Sequence, residues 1–182
     1  MRRPTRPWFH LAEPRTGFVL TRSHPNCVAP GKRPYDTIIP AIATKDKMGE
    51  PYLSYGVMSG YMQPQGHVQV LLNLVESRLS VQQALDSPRF CIGTGRPLAD
   101  EESDDRSGAI DSTVFLEESI PASVLEELTR MGHNVTPIAG WARAQFGRGQ
   151  VIQRVYRGGP EAKRAWAAGG DMRADGLAVA QV

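Results

Sequence analysis

Cysteine is scarce in this chain of 182 residues, charge of one sign is not in excess, and long apolar runs are missing. Its two cysteines, Cys27 and Cys91, supply neither a disulfide framework nor the four ligands of a structural zinc site. They read as free buried thiols. The 21 basic residues are balanced by 19 acidic ones, a net charge of +2. Nucleic-acid binders carry a clustered basic surplus, so that partner class is not expected. No apolar run approaches the roughly 18 residues of a membrane span. Arg2, Arg3 and Arg6 lead into Pro7-Trp8-Phe9-His10 rather than into the apolar stretch of a signal peptide, which makes the cytoplasm the default location. There is no Gly-x-Gly-x-x-Gly after a strand, no P-loop and no Gly-x-Ser-x-Gly elbow. His10, His24, His67 and His133 are too dispersed for a ligand motif. Neither a cofactor nor a metal is expected.

What is present is ordinary globular composition, with 41% hydrophobic and 22% charged residues, enough for one domain with a real core. Residues 1–16 are Pro-rich and basic and read as an irregular segment. Thr37 to Thr44 is β-branched and reads as a strand. A turn pivoting on Gly49 joins it to a second strand at 52–58, a β-hairpin. Pro64-Gln65-Gly66 opens a helix in which Val68, Leu71, Leu72 and Val75 fall on one face. Ser80 and Gln83 form a capping-box pattern before a short helix carrying Val81, Ala84 and Leu85, which Pro88 ends. Asp100 to Ser112 is an acidic loop without the ligand spacing of a calcium site. A strand at 113–116 precedes a helix started by Pro121, with Val124, Leu125, Leu128 and Met131 inward and Gly132 as its left-handed cap. Further strands are expected at 135–138, 149–156 and near 177–180. Locally joined strand pairs favour layered α/β packing around an antiparallel sheet.

One long pattern goes beyond this. The run from Pro25 through Pro30-Gly31-Lys32-Arg33-Pro34-Tyr35-Asp36-Thr37 to Ala41 resembles the small-subunit core of the γ-glutamyltranspeptidase (γ-glutamyltransferase) family. So do Tyr55-Gly56-Val57-Met58-Ser59-Gly60-Tyr61-Met62-Gln63-Pro64-Gln65-Gly66-His67 and Ala84-Leu85-Asp86-Ser87-Pro88-Arg89-Phe90. Met131-Gly132-His133, Phe146-Gly147-Arg148-Gly149-Gln150 and Asp171-Met172-Arg173-Ala174-Asp175-Gly176 follow in the family's order. The resemblance runs over about residues 17 to 178, so residues 17–182 are expected to be the C-terminal part of a small subunit.

The resemblance implies an N-terminal-nucleophile hydrolase fold, an αββα sandwich, present here in part. It implies an enzyme whose freed N-terminal threonine attacks a γ-glutamyl amide such as glutathione and passes the acyl group to water or an amino acid, with its own α-amine as base. Neither Thr5 nor Thr16 stands in the nucleophile's context. The chain alone is therefore expected to be inactive and to need the missing N-terminal half or large subunit as its partner. Carried over by position, Asp36 and Thr37 fall where the family binds the substrate's α-carboxylate. Thr37 keeps a hydroxyl donor, whereas Asp36 brings a like charge that costs ~1–4 kcal/mol at about 4 Å. Ser59 and Gly60 fall where a Gly-Gly pair forms the oxyanion hole. Serine keeps the N–H but is strained there if the position needs a positive φ, and Gly60→Ala is harmful only if Gly60 needs one. Tyr61 replaces an acidic residue often found there. Arg33, Arg89, Asp171 and Arg173 read as structural ion pairs and turn anchors, and His67 as a hydrogen-bonded core or interface histidine. The alternatives are an inactive remnant or binding module of the same fold, and a relative of the cephalosporin acylases.

Overall fold

A computed structural model describes residues 30, 31, 33, 37–45, 49–60, 62–93, 112–157 and 163–180. The segment 1–16, Thr5, Thr16, Cys27, Asp36, Tyr61 and nearly all of the acidic loop lie outside the described residues. Among the described residues, two sheets and three α-helices are formed. Strands β1 (Ala41–Lys45), β2 (Glu50–Met58), β6 (Arg148–Arg157) and β7 (Lys163–Gly170) make one sheet in the order β1-β2-β6-β7, antiparallel throughout. Strands β3 (Phe90–Ile92), β4 (Val114–Glu117) and β5 (Val135–Ile138) make the other, in sequence order. The expected hairpin is β1–β2, with Gly49 at φ +71° in its turn.

Period-two alternation gives the larger sheet two unlike faces. Across one, Leu53, Tyr55, Val57, Val151, Gly149 and Gly169 face helices α1 (Met62–Val75) and α2 (Val81–Asp86). Leu53, Val57, Val70, Leu74, Val81, Ala84, Leu85 and Val151 form the core there. Across the other, Ile42, Ser54, Ile152 and Ala168 stand in one cross-strand row and are all exposed.

Helix α1 turns a different side inward from the one its apolar residues suggest. Met62, Gly66, His67, Val70 and Leu74 are buried, while Val68, Leu72 and Val75 are exposed. Gly66 sets this rotation. A Cβ there would lie 2.7 Å from Val57 Cγ1, so only glycine lets the helix sit this close to β2. The capping box of α2 is formed as expected, Ser80 accepting from the Gln83 N–H. Helix α3 (Ala122–Arg130) has no fully buried residue. Leu125 and Leu128 are half-buried, and Val124 and Met131 are exposed rather than inward. Gly132 does take its left-handed place, at φ +92°.

Three further expectations change. Strand β1 starts at Ala41, and Thr37 to Pro40 are not part of it. The last strand is Lys163–Gly170, and residues 177–180 form no strand. The smaller sheet is not all antiparallel. β4 and β5 are parallel, joined by the α3 crossover that parallel neighbours require. A 3-10 helix (Gly140–Phe146) and β3 were not foreseen.

β3 is held from α1 by side chains. Gln69 Nε2 donates to the Phe90 carbonyl at 2.9 Å, and its Oε1 accepts from the Phe90 N–H at 3.0 Å. Gln65 repeats this one turn earlier, donating to the Ile92 carbonyl at 3.2 Å and accepting from the Ile92 N–H at 2.8 Å. Two amides at i and i+4 thus match the two-residue repeat of a strand edge and satisfy it as a neighbouring strand would.

Candidate functional site

The Ser59–Gly60 turn lies where β2 ends and α1 begins. Ser59 is held at φ +150°, a region that side chains with a Cβ rarely occupy. Gly60, in contrast, takes no positive φ, and a Cβ built on it would meet nothing within 4 Å. The Gln63 N–H donates to the carbonyls of Ser59 at 3.1 Å and Gly60 at 3.3 Å, which turns both carbonyls towards the helix. The N–H groups of Ser59 and Gly60 donate to no described residue. Gly147, at φ +76°, packs beneath the turn. Its own Cβ would fall 2.9 Å from the Met58 carbonyl oxygen and 2.6 Å from Val57 Cγ1.

Gln63 also gathers the expected site residues. Its Nε2 donates to the Thr37 carbonyl at 2.9 Å, so the exposed segment that carries Thr37 is tied to the first turn of α1 beside Ser59 and Gly60. The Thr37 carbonyl therefore lies against the helix turn that follows Ser59 and Gly60. Asp36 lies outside the described residues.

From this corner a groove of about 650 Å³ runs along the exposed face of the larger sheet, lined by Ile38, Met58, Gln63, His67, Arg148 and Ile152 among others. His67 accords with its reading as a hydrogen-bonded core histidine. It is buried, and because a carbonyl can only accept, its Nδ1 carries the proton given to Gln63 O at 2.6 Å. Its Nε2 is buried with no hydrogen-bond partner among the described residues. The Tyr55 ring lies 5.4 Å from the imidazole, and burial raises the Tyr55 hydroxyl above its ordinary pKa.

Beneath the groove lies a buried ionic network. Arg89 Nη2 meets Asp171 Oδ2 at 2.7 Å, and Arg173 Nη1 meets Asp171 Oδ1 at 3.0 Å. Arg173 Nε donates to Glu117 Oε1 at 2.8 Å, and Arg173 Nη2 pairs with Glu117 Oε2. Remaining donors reach backbone. Arg89 Nη1 donates to the carbonyls of Phe146 and Gly147 at 3.2 Å each, and Asp171 Oδ2 accepts from the Gly149 N–H at 2.7 Å. Burial by itself would raise the Asp171 carboxyl. Arg89, the N–H groups of Arg173 and Gly149, and the Arg173 guanidinium outweigh that and hold it below its ordinary value. Arg89, Asp171 and Arg173 are thus structural ion pairs that pin the strand ends around the turn. Glu117, the fourth member, gave no sign in the sequence beyond an acid closing an apolar strand. Arg33 is exposed. Cys91 is a free thiol, half-buried rather than buried, and burial raises its pKa while contact with Gln65 lowers it.

Sequence reading did not single out Gln63, although it stands inside a quoted motif. Among the described residues, no group of three or more His, Cys, Asp or Glu could hold a metal ion, and no helix is long and apolar enough to cross a membrane.

The model of the γ-glutamyltranspeptidase family matches residues 9–181. The chain is 33% identical over 76 residues to a glutathione hydrolase-like YwrD proenzyme of Bacillus subtilis, covering 42% of this chain and 14% of that protein. Among solved structures, the cephalosporin acylase of Bacillus halodurans matches with a TM-score of 0.61 at 35% identity, over 86% of this chain and 24% of that one. A T380A mutant of the Helicobacter pylori γ-glutamyltranspeptidase matches with a TM-score of 0.58 at 21% identity, over 81% of this chain and 66% of that one, a likeness of fold. The chain thus spans less than a quarter of the first two relatives.

Proposed function

The chain belongs to the γ-glutamyltranspeptidase family, and from that premise we propose that it supplies the oxyanion-binding half of an amide-cleaving acyl-transfer site. The observation that carries this is the Ser59–Gly60 turn. It sits at a strand-to-helix junction in a glycine-like conformation, and its two N–H groups are left undonated among the described residues. Two such donors suit the oxygen of a tetrahedral intermediate, where the charge develops. In this reading Thr37, held beside the turn through Gln63, offers its hydroxyl to the substrate. The nucleophile and its base come from residues other than these 182, and a threonine α-amine of the family's kind would serve both roles. The acyl group is γ-glutamyl, as in glutathione, or a related one. The 35% identity to a cephalosporin acylase favours the second possibility enough to test both.

The test is complementation. The chain is combined with the threonine-bearing half of a relative and assayed on γ-glutamyl and cephalosporin-side-chain anilides. The expected outcome is turnover by the pair and none by the chain alone. Turnover by the repurified chain above a heat-killed control would contradict the assignment of the nucleophile to another segment. A folded pair that cleaves no anilide would favour the inactive remnant.

A further inference from the structure

We propose that Gln63 is a positioning residue whose side-chain amide sets where Thr37 stands beside the Ser59–Gly60 turn, an inference that rests on reading that turn as the oxyanion donor and Thr37 as a substrate contact. The two parts have unlike supports. Ser59 and Gly60 are held between the end of β2 and the start of α1. Thr37 to Pro40 are exposed and not part of β1. A site assembled from both needs a tie between them, and Gln63 reaches both. Its Nε2 donates to the Thr37 carbonyl at 2.9 Å, across 26 residues of chain.

The amide works from a fixed root. Gln63 is the second residue of α1. Its N–H donates to the carbonyls of Ser59 at 3.1 Å and Gly60 at 3.3 Å. Its own carbonyl accepts from Nδ1 of the buried His67 at 2.6 Å, and the Tyr55 ring of β2 lies 5.4 Å from that imidazole. The Gln63 backbone is thus tied to the turn on one side and to a buried ring on the other. The bond to Thr37 then requires only its side-chain torsions to be ordered, which is the preorganisation a positioning residue needs.

Which atoms are used separates two roles. Backbone atoms of Gln63 hold the turn, and any non-proline residue at this position supplies them. Holding Thr37 takes the side-chain Nε2. The carbonyl it captures belongs to one of the two rigid peptide planes that flank Thr37, so the bond fixes the backbone from which that side chain springs. Loss of the amide should therefore loosen the substrate contact and leave the oxyanion donors in place. Gln63 also lies in the first turn of α1, which carries no acidic residue. A glutamate there suits the helix dipole, yet it turns an acceptor towards the Thr37 carbonyl. Stability and placement of Thr37 should thus move in opposite directions in Gln63→Glu, which a merely structural role would not produce.

The test compares the wild-type chain with Gln63→Leu, Gln63→Glu and Gln63→Lys, residues of similar helix propensity. In hydrogen exchange, the amides of Thr37 to Ile39 should exchange about three- to tenfold faster in Gln63→Leu and Gln63→Glu, the worth of one neutral hydrogen bond, while those of α1 keep their rates. Gln63→Lys retains a donor and should recover part of the loss. Gln63→Glu should melt at or above wild type. Exchange at 37–39 that stays at the wild-type rate in Gln63→Leu, or that is equally fast in Gln63→Leu and Gln63→Lys, overturns the proposal. So does a Gln63→Glu chain that melts lower and loses protection in α1, since residue 63 then supports the helix alone. A second arm measures the complemented pair on whichever anilide its wild-type form cleaves. Gln63→Leu should raise KM about three- to tenfold and leave kcat within about twofold. Cleavage with KM unmoved, or with kcat alone falling, overturns the role of Gln63 and leaves the proposed function standing. If the wild-type pair cleaves no anilide, the proposed function fails, and exchange at 37–39 still decides the role of Gln63.

Discussion

Replacing Ser59 with glycine should make this protein more stable, against the usual direction of glycine substitutions. Ser59 sits at φ +150°, where a Cβ is unwelcome. Strain of this kind costs ~1–3 kcal/mol, and the turn is over-determined enough to enforce it. Gln63 holds its carbonyl, Gly147 packs beneath, and β2 and α1 fix its two ends. Removing the Cβ releases the strain, while the freer unfolded chain of glycine takes back ~0.5–1 kcal/mol. At the middle of both ranges the difference is a gain of about 1 kcal/mol. For a domain of this size that is a rise in Tm of roughly 2–4 °C.

Thermal melts followed by circular dichroism measure this directly, and Ser59→Ala is the necessary control. Alanine loses the hydroxyl but keeps the Cβ, so it should melt within about 0.5 kcal/mol of wild type. Gly60→Ala should also be close to neutral, because Gly60 has no positive φ and its Cβ would meet open space. A Ser59→Gly variant that melts at or below wild type, or that only matches Ser59→Ala, would refute the strain argument. In the complemented pair, Ser59→Gly should raise kcat more than it changes KM, since an oxyanion donor acts mainly in the transition state.

The buried network yields two further expectations, and the edge of the smaller sheet a third. Asp171→Asn leaves the Arg89 guanidinium buried without its counter-charge and should cost about 3–5 kcal/mol in urea unfolding, whereas loss of the exposed Arg130–Glu127 pair should be barely measurable. Because the folded Asp171 carboxyl titrates below its ordinary value, its stabilisation is complete above about pH 3.9 and is lost as the pH falls through the lower folded-state value. Acid titration of the unfolding free energy should show that loss, and a flat profile down to pH 2 would contradict it. At the edge of the smaller sheet, Gln69→Leu should strip hydrogen-exchange protection from the Phe90 amide and cost about 0.5–1.5 kcal/mol, and Gln65→Leu should do the same to Ile92.

Much of the fold could be read in advance because its signals are local. The β1–β2 hairpin announces itself through β-branched runs around Gly49, and α2 through the Ser80–Gln83 box. Gly132 marks the end of α3 by an αL position that favours glycine. The failures are equally physical. β3 is three residues long and has no periodicity to detect, since glutamines from a helix, rather than its own pattern, hold its free edge. The parallel β4–β5 pair is a long-range choice that no hairpin signal encodes. β7 escaped because small residues such as Ala167 and Gly169 are what close packing under α2 demands, and those residues carry little β signal.

The face of α1 shows most clearly why pattern alone fell short. Apolar periodicity selected Val68, Leu71, Leu72 and Val75, of which Leu71 packs against the core and the other three are exposed, over Gly66 and His67, which are buried. A glycine reads as neutral and a histidine as polar, yet close approach to Val57 requires the glycine and the Gln63 carbonyl satisfies the histidine. The same rotation places Gln65 and Gln69 over the edge of β3, and Gln63 between Thr37 and the Ser59–Gly60 turn. One helix register thus orders the candidate site on one side and a sheet edge on the other. That explains why Gln63, Gln65, His67 and Gln69 lie within one short run of residues. They serve different structural neighbours, and only their common helix makes them a unit.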